Sequence, residues 1–121
     1  MSNAIVLFSH GSRDPLWRAP MEAVVARIGA VHPDRLVACA FLELCEPPLD
    51  QVCETLIAQG VTHVTVVPMF LGTGKHARED LPVLVASLQH AHPDVRFHVQ
   101  TAIGEDARMT ALMAEIACEG A

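Results

Sequence analysis

Short runs of consecutive apolar, often β-branched residues recur along the chain, separated by longer segments in which apolar positions fall three and four apart. The runs are Ala4-Ile5-Val6-Leu7-Phe8, Leu36-Val37-Ala38-Cys39-Ala40-Phe41 and Val64-Thr65-Val66-Val67-Pro68-Met69-Phe70. Unbroken apolar runs of this length predict strands covered on both faces. A weaker run extends from Val95 to Val99. The helical spacing i, i+3, i+4, i+7 is met by Met21/Val24/Val25/Ile28, Leu49/Val52/Cys53/Leu56, Leu81/Leu84/Val85/Leu88 and Met109/Leu112/Met113/Ile116, which predicts four amphipathic helices. Punctuation agrees: Gly60 follows the second helix, Pro48 precedes it, and His32-Pro33-Asp34 and His92-Pro93-Asp94 are turns ahead of the second and fourth strands. The echo between Val31–Arg35 and Ala91–Val95 reflects no more than a common x-Pro-Asp turn. Strands and helices that alternate strictly, with right-handed crossovers, predict an α/β fold: a small open parallel four-stranded sheet with helices on both faces. With 121 residues and no linker or low-complexity tract, the expectation is a single domain over 1–121.

In such a sheet ligands bind beyond the carboxyl ends of the strands. The first strand leads into Ser9-His10-Gly11-Ser12-Arg13-Asp14, the second into Leu42-Glu43-Leu44-Cys45-Glu46-Pro47-Pro48, and the third into Leu71-Gly72-Thr73-Gly74-Lys75-His76-Ala77-Arg78-Glu79-Asp80. His10, Glu43, Glu46 and His76 are distant in sequence, yet this topology collects them at one edge. Two imidazoles and a carboxylate suit a first-row divalent cation with positions left open for exchange. Each histidine alone is more often a loop or capping residue than a ligand; the convergence of three ligand types at one edge argues for a site. Glu46 also suits the N-terminus of the second helix, and Asp80 is expected to cap or charge the third. Arg13, Lys75 and Arg78 flank the site and are able to pair with carboxylates or to solvate the loops. His32, His63, His90, His92 and His98 fall at turns, on a strand or at a helix end and read as surface or packing residues.

Charge and composition narrow the partners. Eight Lys and Arg against 14 Asp and Glu give a net charge of -6, which excludes the basic footprint of a nucleic-acid binder and disfavours anionic membranes. Aromatics amount to 4%, so there is no stacking platform for single strands. The 51% hydrophobic content supports a real core. No apolar stretch is long enough to span a membrane, and the first run is too short for a secretory signal. Cys39, Cys45, Cys53 and Cys118 form no C-x-x-C pair and are expected to be buried small hydrophobes, as in a reduced cytoplasmic protein. Gly72 and Gly74 permit backbone amides to face an anion. A phosphate-binding P-loop is excluded, because Met69 stands where its first glycine belongs and His76 follows Lys75. No G-x-S-x-G elbow surrounds Ser9 or Ser12.

Taken in order, Ser9-His10-Gly11-Ser12-Arg13, Phe41-Leu42-Glu43-Leu44-Cys45-Glu46-Pro47 and Pro68 through Pro82 resemble the short form of the sirohydrochlorin chelatases, class II chelatases that insert a divalent metal into a tetrapyrrole. The resemblance covers nearly the whole chain. It implies a chelatase half-domain that pairs as a homodimer, with sirohydrochlorin or a related tetrapyrrole as substrate and no organic cofactor. It implies His10 as metal ligand and proton acceptor, His76 as second ligand, and Glu43 as an assistant to metal binding; the chemistry of metallation, which releases two pyrrole protons, further suggests Glu43 as a proton receiver. Glu46, Leu71, Gly72, Thr73, Gly74 and Lys75 match substrate-contacting positions, and Arg13 and Arg78 join them as anchors for the macrocycle's acidic side chains. Gly72 stands where the family usually has Ala, and Lys75 adds a charge beside the ligand histidine; neither removes a ligand. The resemblance leans to Co2+, with Fe2+ and Ni2+ as the other metals. The competing expectation from another class is a carrier that binds metal or tetrapyrrole through the same residues without turnover.

Overall fold

The computed structural model describes residues 3–120; the ends of the expected 1–121 span, residues 1–2 and 121, lie outside it. The elements follow as β1 (Asn3–Ser9), α1 (Ala19–Val31), β2 (Leu36–Phe41), α2 (Leu49–Ala58), β3 (His63–Pro68), α3 (Lys75–Ala91), β4 (Arg96–Val99), a 3-10 turn at Ile103–Glu105, and α4 (Ala107–Glu119). All strand pairs are parallel and the order is β2-β1-β3-β4. From β1 the chain moves outward to β2, then crosses back to β3 and on to β4. The direction therefore reverses between β1 and β3, which is where an open α/β sheet forms its ligand crevice.

Successive side chains on a strand point to opposite faces, and the central strands use both. Ala4, Val6 and Phe8 of β1 join Val64 and Val66 of β3 in one core with Leu49, Val52, Cys53 and Leu56 of α2 and Ala77, Leu81 and Leu88 of α3. Leu7 and Val67 face the other way and pack with Met21 of α1. Val6, Phe8, Val64 and Val66 are fully buried, each stabilising the fold by about 1.5–3 kcal/mol over exposure. The outer strands depart from expectation. As sheet edges, β2 is covered mainly at its carboxyl end and β4 is largely exposed.

The third helix also departs. It begins at Lys75, with Gly74 as its N-cap, so Asp80 lies within the helix and caps nothing. The first turns carry a polar sequence in which Ala77 alone is buried, and Pro82 sits inside the helix; both features masked an apolar period. His32 and His92 end α1 and α3 with the same backbone, φ/ψ of -131°/74° and -131°/72°, so the sequence echo is a shared turn. Gly60, φ +99°, follows α2 in the left-handed conformation that only glycine adopts without cost.

Asp106 caps α4 by accepting from the Arg108 amide and bonds the Arg108 guanidinium at 2.7 Å, which holds its carboxyl down at about 2. The helix buries none of its residues, and Leu112 and Ile116 stay exposed. All four cysteines are free, but only Cys53 is buried; Cys39 and Cys45 are half-buried and Cys118 is exposed. Burial pushes the Cys53 thiol up to about 12, leaving it inert. Among the described residues no helix is long and apolar enough to cross a membrane.

Candidate functional site

The carboxyl ends of β1, β2 and β3 carry the residues singled out from the sequence. His10 follows β1 directly and lies exposed at the reversal between β1 and β3. Its ring stacks on that of Phe70, with centroids 4.4 Å apart and planes 30° apart. The Met69 amide donates to the Phe8 carbonyl at 2.7 Å, carrying the β1–β3 pairing to the foot of the site. On the other side, the Leu42 and Glu43 amides donate to the Ser9 and His10 carbonyls at 2.9 and 3.0 Å. The loops after β1 and β2 are thereby zipped together one step beyond the sheet. Gly11 makes this possible: its φ is +103°, and a Cβ there would lie 1.8 Å from the Glu43 carbonyl oxygen.

Glu43 and Glu46 are exposed on the loop after β2. Arg18 braces that loop, donating to the Glu46 carbonyl at 3.3 Å while its guanidinium lies 4.5 Å from the Phe41 ring centroid. Leu44 holds φ +70°, rare for a bulky residue, and its side chain is half exposed. Arg13 is exposed in a turn closed by Asp14, whose carboxylate accepts from the Leu16 amide at 2.9 Å.

His76 and Lys75 stand exposed in the first turn of α3. No side chain caps that helix, so its leading amides face outward beside the site, with the positive end of the helix dipole. Leu71, Gly72 and Gly74 are exposed as well. Thr73 donates to Glu105 at 3.3 Å, and Arg78 donates to the Thr73 carbonyl at 3.1 Å. Arg78 thus braces the loop from within, and a cavity of about 270 Å³ lies behind it, lined in part by Thr73, Ala77, Arg78, Gln100 and Glu105.

The sequence-derived residues share one edge, as the topology requires, but they are not drawn into a finished ligand shell. Among the described residues no group of three or more His, Cys, Asp or Glu side chains is placed to hold one metal ion. His10 and Glu43 stand exposed on the loops after β1 and β2, and His76 stands exposed in the first turn of α3.

Sequence reasoning missed the braces behind these residues. Phe70 was read as the end of a strand, and Arg18 was not singled out. Gly104 was also missed: its amide donates to the Phe70 carbonyl at 2.9 Å, and a Cβ there would lie 2.1 Å from the Leu71 carbonyl oxygen. A glycine just after an edge strand is a generic turn signal, and only the fold brings it against the third loop. Gly104→Ala is expected to push Leu71 aside and cost about 1–3 kcal/mol of stability, read as a lower denaturation midpoint at an unchanged denaturant slope.

The CbiX family model matches residues 4–119. The chain is 34% identical over 82 residues to a sirohydrochlorin cobaltochelatase of Methanopyrus kandleri, covering 68% of this chain and 57% of that protein. It is 36% identical over 108 residues to a sirohydrochlorin ferrochelatase of Bacillus subtilis, covering 88% of this chain and 41% of that one. The chain thus spans about half the length of these curated relatives. Among solved structures, a putative cobalamin biosynthesis CbiX protein from Marinobacter aquaeolei superimposes with a TM-score of 0.83 at 31% identity, covering 98% of this chain and 96% of that one. The sirohydrochlorin chelatase SirB from Bacillus subtilis subspecies spizizenii, in complex with cobalt, gives 0.80 at 30% identity and covers 98% of this chain but 51% of its own. The match of both fold and sequence from β1 to the end of α4 shows that the chain belongs to the CbiX family.

Proposed function

We propose that this protein is a single-domain sirohydrochlorin chelatase that inserts a divalent metal into the tetrapyrrole, with Co2+ as its preferred metal. The observation that carries the reading is His10, held exposed at the β1/β3 reversal beside the uncapped start of α3, in a chain whose relatives are named for this reaction. Cobalt is the metal to which the family resemblance leans, with a cobaltochelatase among the relatives; Fe2+, supported by the ferrochelatase relative and by SirB solved with Fe3+, and Ni2+ are the competing substrates.

In this reading His10 and His76 hold the incoming ion, and Glu43 offsets its charge. Two pyrrole N–H protons leave as M2+ enters, so the macrocycle's charge is unchanged and no electron is transferred. A neutral imidazole both ligates and accepts protons near pH 7, which assigns the first proton to His10 and a relay to Glu43. The acidic arms of the substrate are anchored by Arg13, Lys75, the amides of Gly72 to Gly74 and the leading amides of α3, whose dipole favours carboxylate. Glu46, Leu71 and Thr73 line the approach. Arg78, committed to the Thr73 carbonyl, acts on the substrate only through the loop. The four unpaired thiols fit a reducing compartment, the cytoplasm.

An open rim on one small domain offers half of the cleft that a flat macrocycle needs. SirB matches this chain over about half of its own length, and α4 leaves Leu112 and Ile116 uncovered. A homodimer supplies the second half. Light scattering is expected to report twice 13.0 kDa; a monomer that metallates at full rate overturns the dimer.

The function is tested by anaerobic absorbance with sirohydrochlorin and Co2+, Fe2+ or Ni2+ in turn. Repeated turnover is expected, fastest with Co2+. A spectral change that stops at one equivalent per site identifies a carrier instead.

A further inference from the structure

We infer that Phe70 is the residue that sets the plane of the His10 imidazole, a positioning residue for metal insertion; the inference rests on the chelatase reading above. A histidine that ligates a metal is commonly fixed by a hydrogen bond from its second ring nitrogen. Among the described residues no hydrogen bond or ion pair reaches the His10 ring, and its ring contact is the stack on Phe70, 4.4 Å between centroids at 30°. A stack grips the face of the imidazole and leaves its edge, which carries both nitrogens, open to metal and proton.

Phe70 is suited to this because it is itself immobile. It is 4% exposed, although the Leu71 that follows is 70% exposed. Its ring meets fully buried Phe8 edge to face at 6.1 Å and 68°, a favoured aromatic geometry. Its carbonyl is held by the Gly104 amide, and the preceding Met69 amide is held by the Phe8 carbonyl. The chain of contact thus runs from the core through Phe8 to Phe70 and ends on an exposed catalytic side chain. Without that plane, His10 reverts to the freely exchanging rotamers of a surface residue. The ion and the proton acceptor then no longer share one orientation, and small misplacements of reacting groups carry large kinetic costs.

The test compares Phe70→Leu, Phe70→Met and Phe70→Tyr with Val64→Ala, which damages the same core at the amino end of β3, away from Phe8, Phe70 and His10. Two readouts are taken on folded protein: metal insertion with sirohydrochlorin and Co2+, and the NMR resonance of the His10 Cε1 proton. Phe70→Leu and Phe70→Met are expected to lower kcat about tenfold or more with KM nearly unchanged, a split that marks lost transition-state geometry. Phe70→Tyr, which keeps the ring, restores kcat. The His10 proton, shielded by the ring beneath it, moves to its unstacked position in the Leu and Met variants and stays in place in Val64→Ala. Either apolar variant with wild-type kcat and an unmoved His10 resonance overturns the inference, as does an equal loss of kcat in Val64→Ala. A wild type that performs no insertion removes the chelatase reading instead, while the resonance still decides whether Phe70 holds His10.

Discussion

Replacing His10 with alanine is expected to abolish catalytic metal insertion while leaving the protein folded. The side chain is exposed, and its main-chain carbonyl, which holds the Glu43 amide, survives the exchange. Loss of the ring stack on Phe70 costs about 0.5–1.5 kcal/mol, too little to unfold the domain. The chemical cost is far larger under the proposed mechanism, in which one imidazole both presents the ion and receives a pyrrole proton. Loss of a positioned general base alone costs about 100- to 10,000-fold, and loss of a ligand adds to it. His76→Ala should behave differently. It removes the proposed ligand at the start of α3 but leaves the proposed acceptor after β1, so the defect is expected chiefly in the metal concentration needed for half-maximal rate. Parallel titrations of Co2+ against initial rate distinguish the two. A His10→Ala protein that turns over at the wild-type rate removes His10 from the mechanism and with it the observation on which the function rests.

The sheet was legible because its strands carry local signals. Leu36–Phe41 reads as a strand from six consecutive apolar residues, and the structure gives those bounds. The edge that collects His10, Glu43 and His76 follows from topology, since parallel strands put every following loop at one end. Other features depend on tertiary placement. The start of α3 lies in a polar stretch where Ala77 alone turns inward, too few buried positions to register as a period. Phe70 belongs to an apolar run, and nothing local separates a residue that fills the core from one that also carries His10. The exposure of Cys118 was hidden for a related reason: α4 has the apolar spacing of a buried helix, yet Met109 and Met113 are only half-buried and Leu112 and Ile116 remain uncovered in the single chain. Periodicity reports that a face seeks a partner, without saying whether the partner lies within the same chain.

Gly11 offers the sharpest structural test, because Gly60 serves as its control. Both adopt positive φ, +103° and +99°, where an L-residue costs about 1–2 kcal/mol. Nothing lies within 4 Å of a Cβ built on Gly60, whereas one on Gly11 meets the Glu43 carbonyl oxygen at 1.8 Å and the Cys45 sulfur at 3.4 Å. Gly60→Ala is therefore expected to cost the conformational penalty alone. Gly11→Ala adds a collision between main chains that no rotamer relieves, and overpacking of this kind costs a further 1–3 kcal/mol or so. The total, about 2–5 kcal/mol, is a large share of the stability of a domain this size. The displaced atoms matter as much as the energy. Relief requires Glu43 to move away from His10, which breaks the amide-to-carbonyl bond between them and opens the rim on the side of β2. Gly11→Ala should thus lose metal insertion even below the temperature at which it unfolds, whereas Gly60→Ala keeps it. Equal denaturation midpoints for the two variants, with equal activity, would show that the β1 and β2 loops are not joined as described, and that Glu43 reaches the metal by another route or not at all.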